Sequence, residues 1–284
     1  MIQKIGSIDL YYEEYGTGTN YLLHAQQFSN SHLYYTIDLA QKGFHVFNIR
    51  LRGYSPSSLV DEDYGDMWYD IWAKDILDFA DAKGIKNFFY TGISHGAGVG
   101  WHLCKISPDR IRGFFPLVGG PHKKDGQQTS AARMMTIEAC ETPEKWKAYA
   151  ETKSYQTGRV FKTLFDDPQV GVAARAAWEQ NREFWLNMSK GEAQMNSRKP
   201  FPTLDTEEEL IAELHKIKLP VLMFGGVLDT VSPPDTLVRS NTAIDNSVLV
   251  LFSGLYSQHA DVAHKFRSEI VQIILDFCEQ RKLI

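Results

Sequence analysis

The sequence has few of the features that mark secreted, membrane-spanning or nucleic-acid-binding proteins. Its three cysteines, Cys104, Cys140 and Cys278, are odd in number and too widely spaced for a disulfide framework. The amino terminus lacks the charged start and apolar run of a secretory signal, and no stretch reaches the ~20 apolar residues that cross a membrane. The formal net charge of -5 is spread without long blocks of either sign, so no basic surface for nucleic acid is indicated. We therefore expect a cytoplasmic protein with a small-molecule substrate and no nucleic-acid or membrane partner, which can form a homodimer.

The overall composition is that of a globular protein. Apolar residues make up 43% of the chain and charged residues 23%, which is enough to build a sizeable core. A length of 284 residues suits one large α/β domain that carries an insertion. Neither a His-Glu-x-x-His pattern nor paired cysteines occur, so the sequence predicts no metal site.

Short β-rich runs alternate with segments of helical periodicity, which is typical of a mostly parallel sheet covered by helices. The predicted strands cover residues 8–15, 21–25, 44–50, 87–93, 113–118, 220–224 and 247–252. The predicted helices cover residues 33–42, 69–83, 97–106, 143–154, 171–189, 206–216 and 261–281. Between residues 119 and 214 the strand pattern disappears. We therefore predict a core formed by residues 1–120 and 215–284, and a helical cap formed by residues 121–214.

One sequence motif indicates a catalytic residue. Gly92-Ile93-Ser94-His95-Gly96 fits the Gly-x-Ser-x-Gly pattern and lies where a buried strand should pass into a helix. A serine at such a turn is held in strained backbone geometry that exposes its hydroxyl, and side chains at the flanking glycines would collide with neighbouring backbone. The context predicts that Ser94 is a nucleophile.

Together with this motif, four further segments resemble the α/β-hydrolase family, and the resemblance covers nearly the whole chain outside the cap. It implies a mostly parallel, twisted, eight-stranded sheet flanked by helices, with an inserted α-helical cap, and a reaction without an organic cofactor. The segments are residues 21–29 (YLLHAQQFS), 48–55 (NIRLRGYS), 222–233 (LMFGGVLDTVSP) and 252–259 (FSGLYSQH).

The resemblance also implies a catalytic triad in the order Ser94, Asp229, His259. A serine hydroxyl needs a base to accept its proton, and an aspartate to orient that base. His259 is favoured because it stands between the last strand and the terminal helix, and Asp229 because it follows an apolar strand and a Gly-Gly turn. The alternatives are His264 for the base and, for the acid, Asp61, Asp125 or Asp245.

The oxyanion donors implied by the resemblance are the backbone N–H groups of Gln26 and His95. The family usually has glycine where this chain has Ala25, so Gln27 is an alternative donor, and its side chain is a candidate substrate contact. The segment 48–55 also departs from the family pattern, with Asn48 in place of an acidic residue and Tyr54 in place of glycine. We interpret that segment as structural support.

The predicted cap is rich in large apolar side chains, which favours an apolar or aromatic substrate because a cap forms the roof of the site. Most of these side chains should pack the cap itself. We select Trp178 and Trp185 as substrate contacts and expect polar groups from Gln26, Gln27, His95 and His122. The large apolar residues are Trp146, Tyr149, Tyr155, Phe161, Phe165, Trp178, Phe184, Trp185, Met188 and Met195.

The sequence favours a serine hydrolase that cleaves a carboxylic ester or lactone through an acyl-enzyme. Two alternatives stay open. The same triad cleaves carbon-carbon bonds or runs lyase chemistry in some capped members of the family, and other proteins of this fold are ligand receptors with little turnover.

Overall fold

The computed structural model describes residues 1–27, 35–157, 159–259 and 261–284, with side chains for all of these except 155–157 and 159. Three predicted features fall outside this description: the helix start at Leu33, the end of the oxyanion segment at Phe28 and Ser29, and the side chain of Tyr155.

Eight strands of the described chain form one sheet in the order β1-β2-β4-β3-β5-β6-β7-β8. The pairs β1–β2 and β2–β4 are antiparallel, and all other neighbours are parallel. The predicted fold class is therefore confirmed, although β1 was not located from the sequence. The strands are β1 (Ile2–Ile5), β2 (Ile8–Tyr15), β3 (Asn20–Gln26), β4 (Phe44–Arg50), β5 (Phe88–Ile93), β6 (Ile111–Leu117), β7 (Val221–Gly226) and β8 (Ser247–Phe252).

Helices cover both faces of the sheet. Before and after the long connection between β6 and β7 lie α1 (Tyr35–Gln41), α2 (Trp68–Ala82), α3 (His95–Ile106), α10 (Pro234–Ala243), α11 (Asp261–Lys265) and α12 (Arg267–Gln280). One face buries Trp72, Ile76 and Phe79 of α2, and the other buries Ile270 and Ile274 of α12. Because both faces are covered, every residue of β5 and β7 is buried, which explains why these strands read as continuous apolar runs.

The connection between β6 and β7 is helical. It contains α4 (Ala131–Ala139), α5 (Pro143–Thr157), α6 (Arg159–Lys162), α7 (Gly171–Asn187), α8 (Lys190–Gln194) and α9 (Glu207–His215). Two small hydrophobic clusters, centred on Phe161 and on Trp185, lie within it and apart from the two sheet-covering clusters. The division into a core and a cap at residues 121 and 214 stays a prediction. In the described residues no helix is long and apolar enough to cross a membrane.

The predicted single helix over residues 261–281 is wrong. The chain forms two helices that are separated at Phe266, whose φ of -104° and ψ of 28° leave the helical region. The ring of Phe266 stacks on Phe252 at the end of β8, with 4.4 Å between the ring centroids. Helical periodicity alone does not reveal such a tertiary contact, which interrupts an otherwise continuous amphipathic pattern.

Candidate active site

Ser94 stands at a sharp turn between β5 and α3. Its backbone has φ 51° and ψ -106°, a conformation that side-chain-bearing residues seldom adopt. A Cβ on Gly92 would lie 2.3 Å from the carbonyl carbon of Gly96, and a Cβ on Gly96 would lie 2.1 Å from the carbonyl oxygen of Ala25. Both glycines are therefore required for the turn to approach β3 and α3 so closely.

Asp229 and His259 come from the loops that follow β7 and β8. The Oδ1 atom of Asp229 accepts hydrogen bonds from the backbone N–H groups of Val231 at 2.8 Å and Ser232 at 2.9 Å. These bonds leave Oδ2 facing His259, where it lies 2.9 Å from Nδ1. The other ring nitrogen of His259, Nε2, lies 2.8 Å from Ser94 Oγ. The structure thus brings the three predicted residues into one hydrogen-bonded line, with Asp229 itself buried.

The other histidines near the site have different surroundings. His264 packs against Phe161, and burial lowers its pKa to about 4. His102 bonds to Asp70 through Nδ1 at 2.6 Å and accepts the backbone N–H of Phe201 at 2.9 Å through Nε2. It therefore ties the chain after α8 to α2 and α3.

The two glutamines predicted near the oxyanion site are buried. The side chain of Gln26 donates to the carbonyl of Ile93 at 3.1 Å and accepts the backbone N–H of Gln27 at 3.0 Å. The N–H of Gln27 is therefore already bonded, which disfavours it as the alternative oxyanion donor. His95 is the first residue of α3, where backbone N–H groups have no acceptor within the helix.

A cavity of about 560 Å³ opens above Ser94. Gln26, Gln27, His95 and His122 all line it, as does Trp185. Burial lowers the pKa of His122 to about 4 and that of His95 to well below its usual range, so both rings are neutral near pH 7.

Trp178 does not line this cavity, contrary to the sequence prediction. It lies seven residues before Trp185 on α7 and so on the same face of the helix, but roughly 10 Å away along the axis. There its ring packs edge-on against Phe165, with 5.9 Å between centroids, in the cluster centred on Phe161. Helical periodicity predicts the face of α7 on which Trp178 lies. The distance along the helix axis places Trp178 too far from the cavity to line it.

Sequence reasoning missed the polar wall that α4 and α5 contribute to the cavity. Arg133, Thr136, Tyr149 and Lys153 all line it. The signal that was available is Ser130, whose side chain caps α4 by accepting the N–H of Arg133 at 3.3 Å. Serine before a helical segment is a recognisable start signal. In the described residues no group of three or more histidine, cysteine or carboxylate side chains could hold a metal ion.

No family model matches the sequence. No curated protein matches it either. Solved structures do match over nearly the full chain. The enol-lactonase from Burkholderia xenovorans LB400 has a TM-score of 0.72 at 17% identity, covering 98% of this chain and 100% of that one. A thermophilic esterase from Thermogutta terrifontis has a TM-score of 0.65 at 17% identity, with 97% and 94% covered. A meta-cleavage product hydrolase from Pseudomonas fluorescens IP01 has a TM-score of 0.69 at 15% identity, with 99% and 98% covered. The chain has the α/β-hydrolase fold, as its resemblance to that family implied.

Proposed function

We propose that this protein is a serine hydrolase that cleaves a carboxylic ester or lactone of a small molecule through an acyl-enzyme. The observation that carries the proposal is the hydrogen-bonded line from Ser94 through His259 to Asp229, at the floor of a cavity. Ser94 is the nucleophile, His259 the general base and Asp229 the group that orients the imidazole. The similarity of the fold to a lactonase and an esterase agrees with this assignment.

In the first half of the reaction, Ser94 Oγ attacks the carbonyl carbon while His259 Nε2 takes the hydroxyl proton. Asp229 accepts a hydrogen bond from the Nδ1–H of His259 and stabilises the imidazolium. The tetrahedral intermediate collapses, and His259 gives its proton to the leaving alkoxide. An ester then releases an alcohol, whereas a lactone keeps its hydroxyl on the acyl chain.

The negative charge that develops on the carbonyl oxygen needs preorganised donors. We assign these as the backbone N–H groups of His95 and Gln26, and the hydrogen bonds of the Gln26 side chain hold the end of β3 against the turn at Ser94. Losing one such donor costs about 2.7–4 kcal/mol in the transition state. In the second half of the reaction His259 Nε2 takes a proton from water, the resulting hydroxide attacks the acyl-enzyme, and His259 returns the proton to Ser94 Oγ as the acid leaves.

A cavity of about 560 Å³ suits a small substrate. Its apolar part lies against Ile93, Val118, Trp185 and Met188, which line the cavity. A few buried methylene groups supply about 0.8 kcal/mol each.

The test is hydrolysis of a panel of p-nitrophenyl esters, aryl esters and lactones by the wild type and by Ser94→Ala. We expect turnover that falls by at least about 10,000-fold in the variant. Ser197→Ala is the matched control, because Ser197 also lines the cavity and is buried but lies outside the triad. Full activity of Ser94→Ala, or equal losses in both variants, would contradict the proposal.

A further inference from the structure

Arg133 is placed where a cation does not stabilise its own helix. It is the third residue of α4, in the turn that Ser130 caps. The amino-terminal turn of a helix carries partial positive charge, so a guanidinium there is disfavoured relative to a carboxylate. The contacts of its side chain, and not the stability of α4, therefore account for an arginine at this position.

The side chain reaches across the cavity to the core. Arg133 Nη2 donates to Gln27 Oε1 at 3.1 Å and to the hydroxyl of Tyr54 at 3.4 Å, and Tyr54 in turn donates to Gln27 Oε1 at 3.0 Å. Burial raises the pKa of Tyr54, although the Arg133 charge opposes this. Both partners of the guanidinium are therefore neutral near pH 7.

No carboxylate in the described part of the chain lies within ion-pair distance of Arg133, whereas Arg52 and Arg239 each pair with one at 2.5 Å. Residues 28–34, 155–159 and 260 contain no aspartate or glutamate. The carboxylate of Glu192, which also lines the cavity, accepts the backbone N–H groups of Ser55 and Ser189 instead.

The remaining donors of Arg133 are therefore available. Nε and Nη1 have no acceptor among the described residues, and the fork of a guanidinium matches a carboxylate in a bidentate pair. Lys153 on α5 lines the same cavity.

The subsite is connected to the proposed reaction centre by consecutive contacts. Gln27 bonds to Arg133 through its side chain and to Gln26 through its backbone, and Gln26 bonds to Ile93, next to Ser94. A molecule that spans from Ser94 to Arg133 passes along the two glutamines.

We propose that Arg133 binds a carboxylate of the substrate, so that the protein acts on esters or lactones that carry a free acid group remote from the scissile bond. This inference rests on the proposed function for the identity of the scissile bond. It adds a carboxylate, remote from the scissile bond, to the small and partly apolar substrate of the proposed function.

The kinetic test compares two esters of similar size, mono-p-nitrophenyl glutarate and p-nitrophenyl pentanoate. We expect kcat/KM of the wild type to favour the glutarate by roughly 10- to 100-fold. Arg133→Met should abolish this preference mainly by raising KM for the glutarate, and Arg133→Lys should retain part of the preference. Arg175→Met is the matched control, because Arg175 lies exposed on α7 and ion-pairs with Asp166 at 3.6 Å.

A binding test separates this inference from the proposed function. Glutarate should bind to Ser94→Ala in calorimetry, and adding Arg133→Met should weaken that binding by at least about tenfold. Arg133-dependent binding without any ester hydrolysis supports the subsite and overturns the hydrolase proposal. Hydrolysis of both esters without a preference in the wild type overturns the subsite and leaves the hydrolase proposal standing.

Discussion

At the carboxyl ends of β5, β7 and β8 each functional side chain is fixed by its own backbone, whereas across the cavity α4, α5 and α7 place their side chains through helix packing. Ser94 and His259 both have positive φ, at 51° and 29°, and Asp229 is held by two backbone N–H groups. Arg133 instead depends on partners 106 and 79 residues away. The proposed catalytic residues are therefore positioned by local backbone geometry, whereas the proposed substrate-binding arginine is positioned by contacts between distant parts of the chain.

The largest effect should come from Asp229→Asn. The asparagine carbonyl would stay with the N–H groups of Val231 and Ser232, which turns the amide nitrogen toward His259 Nδ1. That arrangement favours the tautomer with a proton on Nε2, which cannot accept from Ser94. We expect kcat to fall about 10,000-fold in ester hydrolysis. Asp235→Asn, at an exposed ion pair with Lys123, should change kcat less than twofold, and similar losses in both variants would contradict the assignment.

Glycine substitutions contrast the two regions directly. Gly92→Ala places a Cβ against backbone at 2.3 Å, which neither β5 nor α3 can relieve. We expect the free energy of unfolding to fall by about 3 kcal/mol, measured by urea denaturation. Gly191→Ala in α8 meets nothing within 4 Å and should stabilise the protein by roughly 0.5–1 kcal/mol. Equal changes in the free energy of unfolding for the two variants would contradict this difference between the two regions.

Acid should destabilise the folded protein, and His24 of β3 is one of the groups responsible. Burial lowers the pKa of His24 from 6.5 to about 3. The unfolded chain therefore takes up a proton below pH 6.5 that the folded chain does not, and stability is lost as pH falls through that range. This single group should contribute a loss on the order of 2 kcal/mol between pH 7 and pH 5. Urea denaturation of His24→Leu at both pH values should show a correspondingly smaller loss, and an unchanged pH dependence would contradict this account.

The smallest effect distinguishes two tryptophans on one helix. Trp185→Ala removes part of the cavity wall and should lower kcat/KM about tenfold, which corresponds to about 1.4 kcal/mol of binding. Trp178→Ala removes a ring that packs on Phe165 outside the cavity, so it should lower the melting temperature and leave kcat/KM within about twofold. Steady-state kinetics and thermal melts of both variants measure this, and a larger kinetic effect at Trp178 would reverse the assignment.

The difference between the regions also explains what could be predicted from the sequence. Seven of the eight strands were predicted because buried strands and glycine turns are local signals, whereas β1 was not located and the count of eight followed only from the family resemblance. The same local signals put the predicted residues Ser94, Asp229 and His259 at strand ends. The break at Phe266 and the position of Trp178 depend on tertiary contacts that periodicity does not contain. Arg133 was missed for the same reason, since its partners Gln27 and Tyr54 are distant in sequence.

Activation of Ser94 by His259 for covalent catalysis can be measured by treating the protein with a fluorophosphonate and following the reaction by intact mass and peptide mapping. We expect a single adduct on the peptide that contains Ser94, which is absent in Ser94→Ala and forms far more slowly in His259→Asn. An adduct on another residue, or ester hydrolysis by a protein whose Ser94 stays unlabelled, would contradict the assignment of Ser94 as the activated nucleophile.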